Sequence, residues 1–218
     1  MIDLASTIDH TILKPDATQI MITTLCEEAM MYQFASVCVL PWYVVHCADV
    51  LKGSGVAVCT VAGFPLGGTY TSVKVAESAQ AIVHGAKEVD MVINIAALKS
   101  GAFDVVLQDI RDVTHCVHEA GGIVKVIIET CLLTTEEKLR CCSMVTQAGA
   151  DFIKTSTGFS TGGATLADVD TLRHNVGPAV RVKASGGIRD RSTALAMIEA
   201  GAQRIGTSNG VAIVSEHA

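Results

Sequence analysis

AGADFIKTSTGFSTGG, residues 148–163, governs how the rest of the chain is read. Gly149 has the place of a left-handed helix cap, Phe152 and Ile153 are apolar, and a run rich in hydroxyls and glycines closes the stretch. Residues 151–155 therefore read as a short buried parallel strand between a helix and a loop. Lys154 inside that strand needs a reason. Desolvating an ammonium is costly, so a buried lysine is ion-paired, snorkelled to a rim, or neutral and catalytic. The pattern recurs in RVKASGGIR, residues 181–189, where Lys183 sits in a strand followed by a small residue, a hydroxyl and glycines.

Working outward, HGAKEVDMVIN (84–94), QAGADFIKTST (147–157) and EAGAQRIGTSN (199–209) each run from Gly-Ala into a strand. Gly85, Gly149 and Gly201 suit the cap that turns a helix into the next strand, a matter of fold rather than function. Short β-branched runs fall at 8–11, 36–40, 56–61, 88–94, 124–129, 151–155, 181–184 and 204–206, with helical stretches between them. Thr134 and Glu137, for example, form a capping box ahead of Leu139, Cys142 and Val145 on one helix face. Eight strands in 218 residues leave about 27 residues per unit, close to the ~30 of a strand-helix-strand module. The expectation is an α/β fold, a single (β/α)8 TIM barrel occupying residues 1–218 as one domain.

Composition limits what such a barrel does. Hydrophobic residues make up 50% of the chain and aromatics 4%, with a mean hydropathy of +0.43, so the core is built from Val, Ile, Ala and Leu. A formal charge of -6 and a pI near 5.6, with no basic block, argue against nucleic-acid and membrane-surface partners. No apolar run reaches the ~18 residues of a spanning helix, and MIDLASTIDH lacks the layout of a signal peptide, so a cytoplasmic location is expected. The eight cysteines contain no CxxC pair and read as reduced, buried thiols. His115 and His118 make an HxxH without a matching third ligand nearby, and no metal site is assigned.

In a barrel, alternate strand residues point inward, and active sites form at the carboxyl ends of the strands. On the fourth strand Val89, Met91 and Ile93 face the helices, leaving Glu88, Asp90, Val92 and Asn94 inward. Phe152, Lys154 and Ser156 share the inward face of the sixth strand, and Arg181, Lys183 and Ser185 that of the seventh. Asp9 and Thr11 on the first strand and Glu129 at the end of the fifth join them. One mouth thus collects two lysines and several carboxylates, while Glu88 and Arg181, early in their strands, belong to the stability face. Glycine-rich turns after strands seven and eight commonly hold phosphate in this architecture, which points to Gly186, Gly187, Gly206 and Ser208, with Thr157 and Gly158 closing the site from the sixth loop. Neither GFPLGG nor GFSTGG is followed by GK[ST], and no GxGxxG opens a helix, which disfavours a nucleotide.

Beyond these patterns, IDHTILKP (8–15), VCVLP (37–41), GFPLG (63–67), GAKEVDMVIN (85–94), VKVIIET (124–130), DFIKTSTGF (151–159), VKASGGIR (182–189) and RIGTSNG (204–210) resemble, in order and over nearly the whole chain, the deoxyribose-phosphate aldolases. The resemblance implies a class I aldolase that interconverts 2-deoxy-D-ribose 5-phosphate with D-glyceraldehyde 3-phosphate and acetaldehyde, with no cofactor and no metal. It matches Lys154 to the Schiff-base lysine, Lys183 to its activating partner and Asp90 to the acid-base aspartate. One departure is the ending SEHA, where some relatives carry a tyrosine thought to help proton transfer, so no help from the tail is expected.

The chemistry agrees on independent grounds. Retro-aldol cleavage leaves a carbanion, for which a lysine iminium is an electron sink. The attacking amine must be neutral; at a reference pKa of ~10.4 about one lysine in a thousand is neutral near pH 7, and a neighbouring cation and an apolar wall both raise that share. The expected partners are small phosphorylated sugars and aldehydes, and a homodimer is compatible with the sequence. Two other readings fit the phosphate turns: a sugar-phosphate isomerase or synthase that forms no imine, and a non-catalytic phosphosugar-binding protein.

Overall fold

Eight parallel strands close on themselves in strict chain order, so the last strand pairs with the first. They are β1 (Ile8–Ile12), β2 (Ser36–Val39), β3 (Ala57–Ala62), β4 (Glu88–Val92), β5 (Ile123–Ile127), β6 (Phe152–Lys154), β7 (Arg181–Ser185) and β8 (Arg204–Thr207). The helices between and after them are α1 (Gln19–Tyr32), α2 (Val44–Val50), α3 (Thr71–Val83), α4 (Ile95–Lys99), α5 (Phe103–Glu119), α6 (Thr135–Ala148), α7 (Leu166–Asn175), α8 (Arg191–Glu199) and α9 (Gly210–Ser215). The computed structural model describes residues 3–215. This is the expected (β/α)8 barrel. Residues 216–218, most of the SEHA ending, lie outside the described residues.

Period-two alternation sorts the strands into two layers. Val89, Met91, Val124, Val126, Ile153, Val182 and Ile205 face outward and are buried with Ile22, Leu25, Ile110, Val113, Val145 and Leu172 of the helices. Inside, Phe152 lies beneath Arg181 and Arg204, whose guanidinium carbons are 4.0 and 5.6 Å from its ring centre. Arg181 thus belongs to the lower layer as expected, held by an aromatic face. Glu88 also lies there, paired with Arg204.

Local signals explain where the elements begin and end. Thr134 accepts from the Glu137 amide while Glu137 accepts from the Thr134 amide, the reciprocal cap expected for α6. Of the face behind that cap, Cys142 and Val145 are buried, but Leu139 is 40% exposed. Gly149 ends α6 at φ 73°, and Gly85 and Gly201 end their helices at φ 109° and 110°, conformations that disfavour any side chain. Strands four and five stop earlier than expected. Asn94 leaves the sheet and caps α4, its side chain accepting from the Ala97 amide at 3.0 Å. Glu129 adopts a left-handed conformation, φ 56° and ψ 66°, which turns its side chain out of the alternation. Among the described residues, no helix is long and apolar enough to cross a membrane.

Candidate active site

Parallel pairing sets Lys154 directly opposite Lys183 on β6 and β7. Both side chains point inward and converge on one atom of β4: Asp90 Oδ2 lies 2.8 Å from Lys154 Nζ and 2.7 Å from Lys183 Nζ. The other oxygen, Oδ1, accepts from Lys125 Nζ at 2.7 Å and from the Cys59 thiol at 3.2 Å. Beneath this layer Lys183 also pairs with Asp9 at 2.5 Å, Lys125 with Glu88 at 2.6 Å, and Arg204 with both Asp9 and Glu88 at 2.5 and 3.0 Å. Ser36 donates to Asp9 at 2.6 Å.

Burial and charge pull these groups in opposite directions, and charge prevails. Burial alone pushes the Asp90 carboxyl up, yet the ammoniums of Lys125, Lys154 and Lys183 hold it well below the usual carboxylate range. Burial likewise opposes ionisation of Asp9, but Lys183, Lys125 and Arg204 keep it low. Desolvation works against the charge on Lys183, and Asp9 and Asp90 overcome it, raising its pKa. Lys125 is raised too, its carboxylate neighbours and Cys59 outweighing desolvation. The buried cluster therefore holds three anions, Asp9, Glu88 and Asp90, facing three fixed cations, Lys125, Lys183 and Arg204. Lys154 is a fourth base and shares Asp90 Oδ2 with Lys183.

Lys154, 3% exposed, forms the floor of an open cavity of about 670 Å³. Thr11, Thr157, Gly158, Gly186, Gly187, Gly206 and Ser208, all expected at the site, line its wall. Asp90, Lys183 and Asp9 are fully buried and do not line the cavity, while Lys154 lines it and touches Asp90. Asp9 therefore stands as the partner of Lys183, away from the cavity wall where a substrate-binding residue is expected.

Other expectations need correction. Glu129 does not join the lysines; it accepts from the Thr157 hydroxyl at 2.5 Å and from the Thr157 amide at 3.3 Å, pinning the sixth loop. The site holds three inward lysines rather than two. Lys125 was legible in principle, since Val124 and Val126 on either side face the helices. Of the thiols expected to be buried, Cys131 is exposed. His118 of the HxxH pair meets Asp151 at 2.8 Å.

One trio, Cys38, Cys59 and Asp90, brings its ligand atoms within 4.8 Å of one another, as a metal site would. The Lys125 ammonium, 3.2 Å from Cys59 Sγ and 2.7 Å from Asp90, already occupies the place of a cation there. That donor set does not suit a metal ion without displacing the lysine.

Comparison with known proteins places the chain in a family. Residues 4–216 match the DeoC/LacD family aldolases. The deoxyribose-phosphate aldolase of Brevibacillus brevis is 59% identical over 209 residues, 95% of this chain and 93% of that protein. The deoxyribose-phosphate aldolase of a Geobacillus strain is 58% identical over 97% of this chain and 95% of its own length. Among solved structures, an aldolase designated QR15 superposes with a TM-score of 0.93 at 42% identity, covering 98% of this chain and 95% of that one. The tetrameric deoxyribose phosphate aldolase of Aeropyrum pernix does so with a TM-score of 0.91 at 35% identity, covering 97% and 89%. With its whole barrel matched and its lysines converging on one carboxylate, the chain belongs to the DeoC/LacD aldolase family.

Proposed function

We propose that this chain is a class I aldolase that cleaves 2-deoxy-D-ribose 5-phosphate reversibly to D-glyceraldehyde 3-phosphate and acetaldehyde through an imine on Lys154. The observation that carries the reading is the charge balance around Asp90. Three carboxylates meet three fixed cations, and Lys154, the fourth basic group around them, is the one that lines the cavity where a substrate reaches it. The neutral amine attacks the sugar aldehyde carbon, and loss of water from the carbinolamine gives the iminium. A base takes the proton of the C3 hydroxyl, the C2–C3 bond breaks, and its electron pair flows into the iminium as an enamine. Glyceraldehyde 3-phosphate leaves. Protonation of the enamine carbon and hydrolysis of the imine release acetaldehyde and regenerate Lys154.

Asp90 and Lys183 share these proton movements, since Asp90 Oδ2 touches both amines. Lys183 is held charged by Asp9 and Asp90. The backbone amides of Gly186, Gly187 and Gly206 with Ser208 take the phosphate, and Thr11, Thr157 and Gly158 border the sugar chain. We extend to this chain a cytoplasmic location and a homodimer, the latter in keeping with the exposed Trp42 and Ile20.

Borohydride reduction in the presence of acetaldehyde tests the core of the reading. The expected product is a two-carbon adduct on Lys154. An adduct confined to other lysines overturns the assignment, and no adduct at all favours an isomerase or a binding protein.

A further inference from the structure

Two aromatic rings meet over the barrel mouth from strands three places apart in the barrel. Phe64 follows β3 and Phe159 follows β6, yet their ring centres are 5.3 Å apart with the planes at 88°, an edge-to-face pair. Each ring is held from its own side. Phe64 packs with Leu40 on the buried Leu13, Cys38, Cys59 and Val61. The neighbouring Gly63 amide donates to Glu77 at 2.8 Å. Phe159 donates its amide to the Thr157 hydroxyl at 3.0 Å, and that hydroxyl donates in turn to Glu129 at 2.5 Å. Glu129 is thus the anchor of the Phe159 side.

The pair stands between two spaces. Phe159 lines the 670 Å³ cavity that contains Lys154. Phe64 lines a second basin of about 730 Å³, which Pro65, Leu66, Tyr70, Glu77 and Asn94 also border. The substrate's phosphate belongs at the turns after β7 and β8, so its chain runs from Lys154 toward those turns. A substituent on the captured aldehyde that points away from that chain runs instead toward the rings and the basin behind them.

We propose that the Phe64–Phe159 pair sets the size limit of the aldehyde captured by Lys154, walling off a basin that would otherwise accept a longer apolar carbon chain. The inference rests on the aldolase reading and deepens it by assigning a specificity-determining pair. Hydrophobic pockets discriminate single methylenes by roughly 10-fold or more, so an aromatic wall is ample to reject a chain two carbons longer than acetaldehyde.

The test measures the rate of borohydride-fixed adduct on Lys154 with acetaldehyde and with butanal, in the parent enzyme and in Phe159→Ala, Phe159→Tyr and Phe64→Leu. Phe159 is 51% exposed, so its replacement leaves the fold intact, and circular dichroism checks this. The expected result is a butanal-to-acetaldehyde ratio raised at least about tenfold in Phe159→Ala and raised in Phe64→Leu, with Phe159→Tyr close to the parent. If the parent captures acetaldehyde but the ratio is the same in both opened variants, the pair is no selector and the inference falls while the aldolase reading stands. If the parent captures neither aldehyde, both fall together.

Discussion

Lys154 and Lys183 face one another across β6 and β7 and share a single acceptor, Asp90 Oδ2, at 2.8 and 2.7 Å. A carboxylate oxygen placed between two amines can pass a proton from one to the other, which neither a simple ion pair nor a lone lysine can do. The same oxygen cannot fully neutralise both amines. In the proposed reaction one of them stays charged while the other becomes the nucleophile.

Replacing Asp90 by Asn keeps the shape and removes the charge. Turnover of the phosphorylated sugar is expected to drop about 100-fold or more, the usual size of a lost acid-base group. Borohydride capture of acetaldehyde should fall less, because the amine itself remains. Steady-state kinetics beside trapping rates separate the two steps, and full turnover in Asp90→Asn would show that the proton travels by another route.

Lys183→Met removes the ammonium that Asp9 and Asp90 keep charged. Asp90 Oδ2 then serves Lys154 alone. The pH optimum of activity is expected to move upward, by about one unit or more, along with a loss of rate. A pH-rate profile of unchanged position would assign Lys183 to packing.

The barrel itself was legible because its signals are local: β-branched runs at regular spacing, a capping box at Thr134, and glycine caps such as Gly149. Lys154 and Lys183 were legible because a hydroxyl and glycine loop follows each. Lys125 has the same inward alternation without that loop, Arg204 is an arginine ahead of the phosphate turn, and the sequence alone does not reveal which carboxylates a buried cation reaches across the barrel. Glu129 escaped for a different reason. A non-glycine residue in the left-handed conformation is dictated by its tertiary partners, here Thr157, and leaves no trace in local pattern.

Chelation is expected to leave activity intact. In the proposed reaction the iminium supplies the electron sink that a Lewis acid would otherwise provide, and the Lys125 ammonium fills the position between Cys59 and Asp90. Prolonged EDTA treatment followed by assay checks this. Activity that disappears and returns with zinc would reverse the mechanism.

Gly187 bears on the phosphate. It sits at φ 81°, and although an added Cβ meets nothing within 4 Å, any side chain is strained in that conformation. Gly187→Val should therefore shift the turn and raise KM for deoxyribose 5-phosphate by about tenfold or more, with a smaller change for unphosphorylated deoxyribose. Equal losses on both substrates would make the turn structural.

The buried cluster also sets the pH range over which the fold holds. Asp9 and Asp90 have folded-state pKa values below the ~3.9 of an unfolded aspartate, because their cations outweigh the cost of burial. Near pH 3 to 4 the unfolded chain then binds more protons than the native one, so protons favour unfolding. The stability these carboxylates contribute is fully present above about pH 4 and is lost as pH falls toward their folded values. Lys125 and Lys183 have the opposite sign. Their folded values are raised, so their contribution is complete below the ~10.4 of an unfolded lysine and is lost as pH climbs through the folded values. Melting temperature should therefore be nearly level between about pH 5 and 9 and fall on both sides. Asp9→Asn removes one of the acid-sensitive groups and leaves Lys183 and Arg204 short of a partner, so it should melt lower at neutral pH yet lose less of its remaining stability on going to pH 3. Calorimetry across pH measures both slopes, and an acid slope unchanged by Asp9→Asn would show that Asp9 is not among the groups whose protonation unfolds the chain.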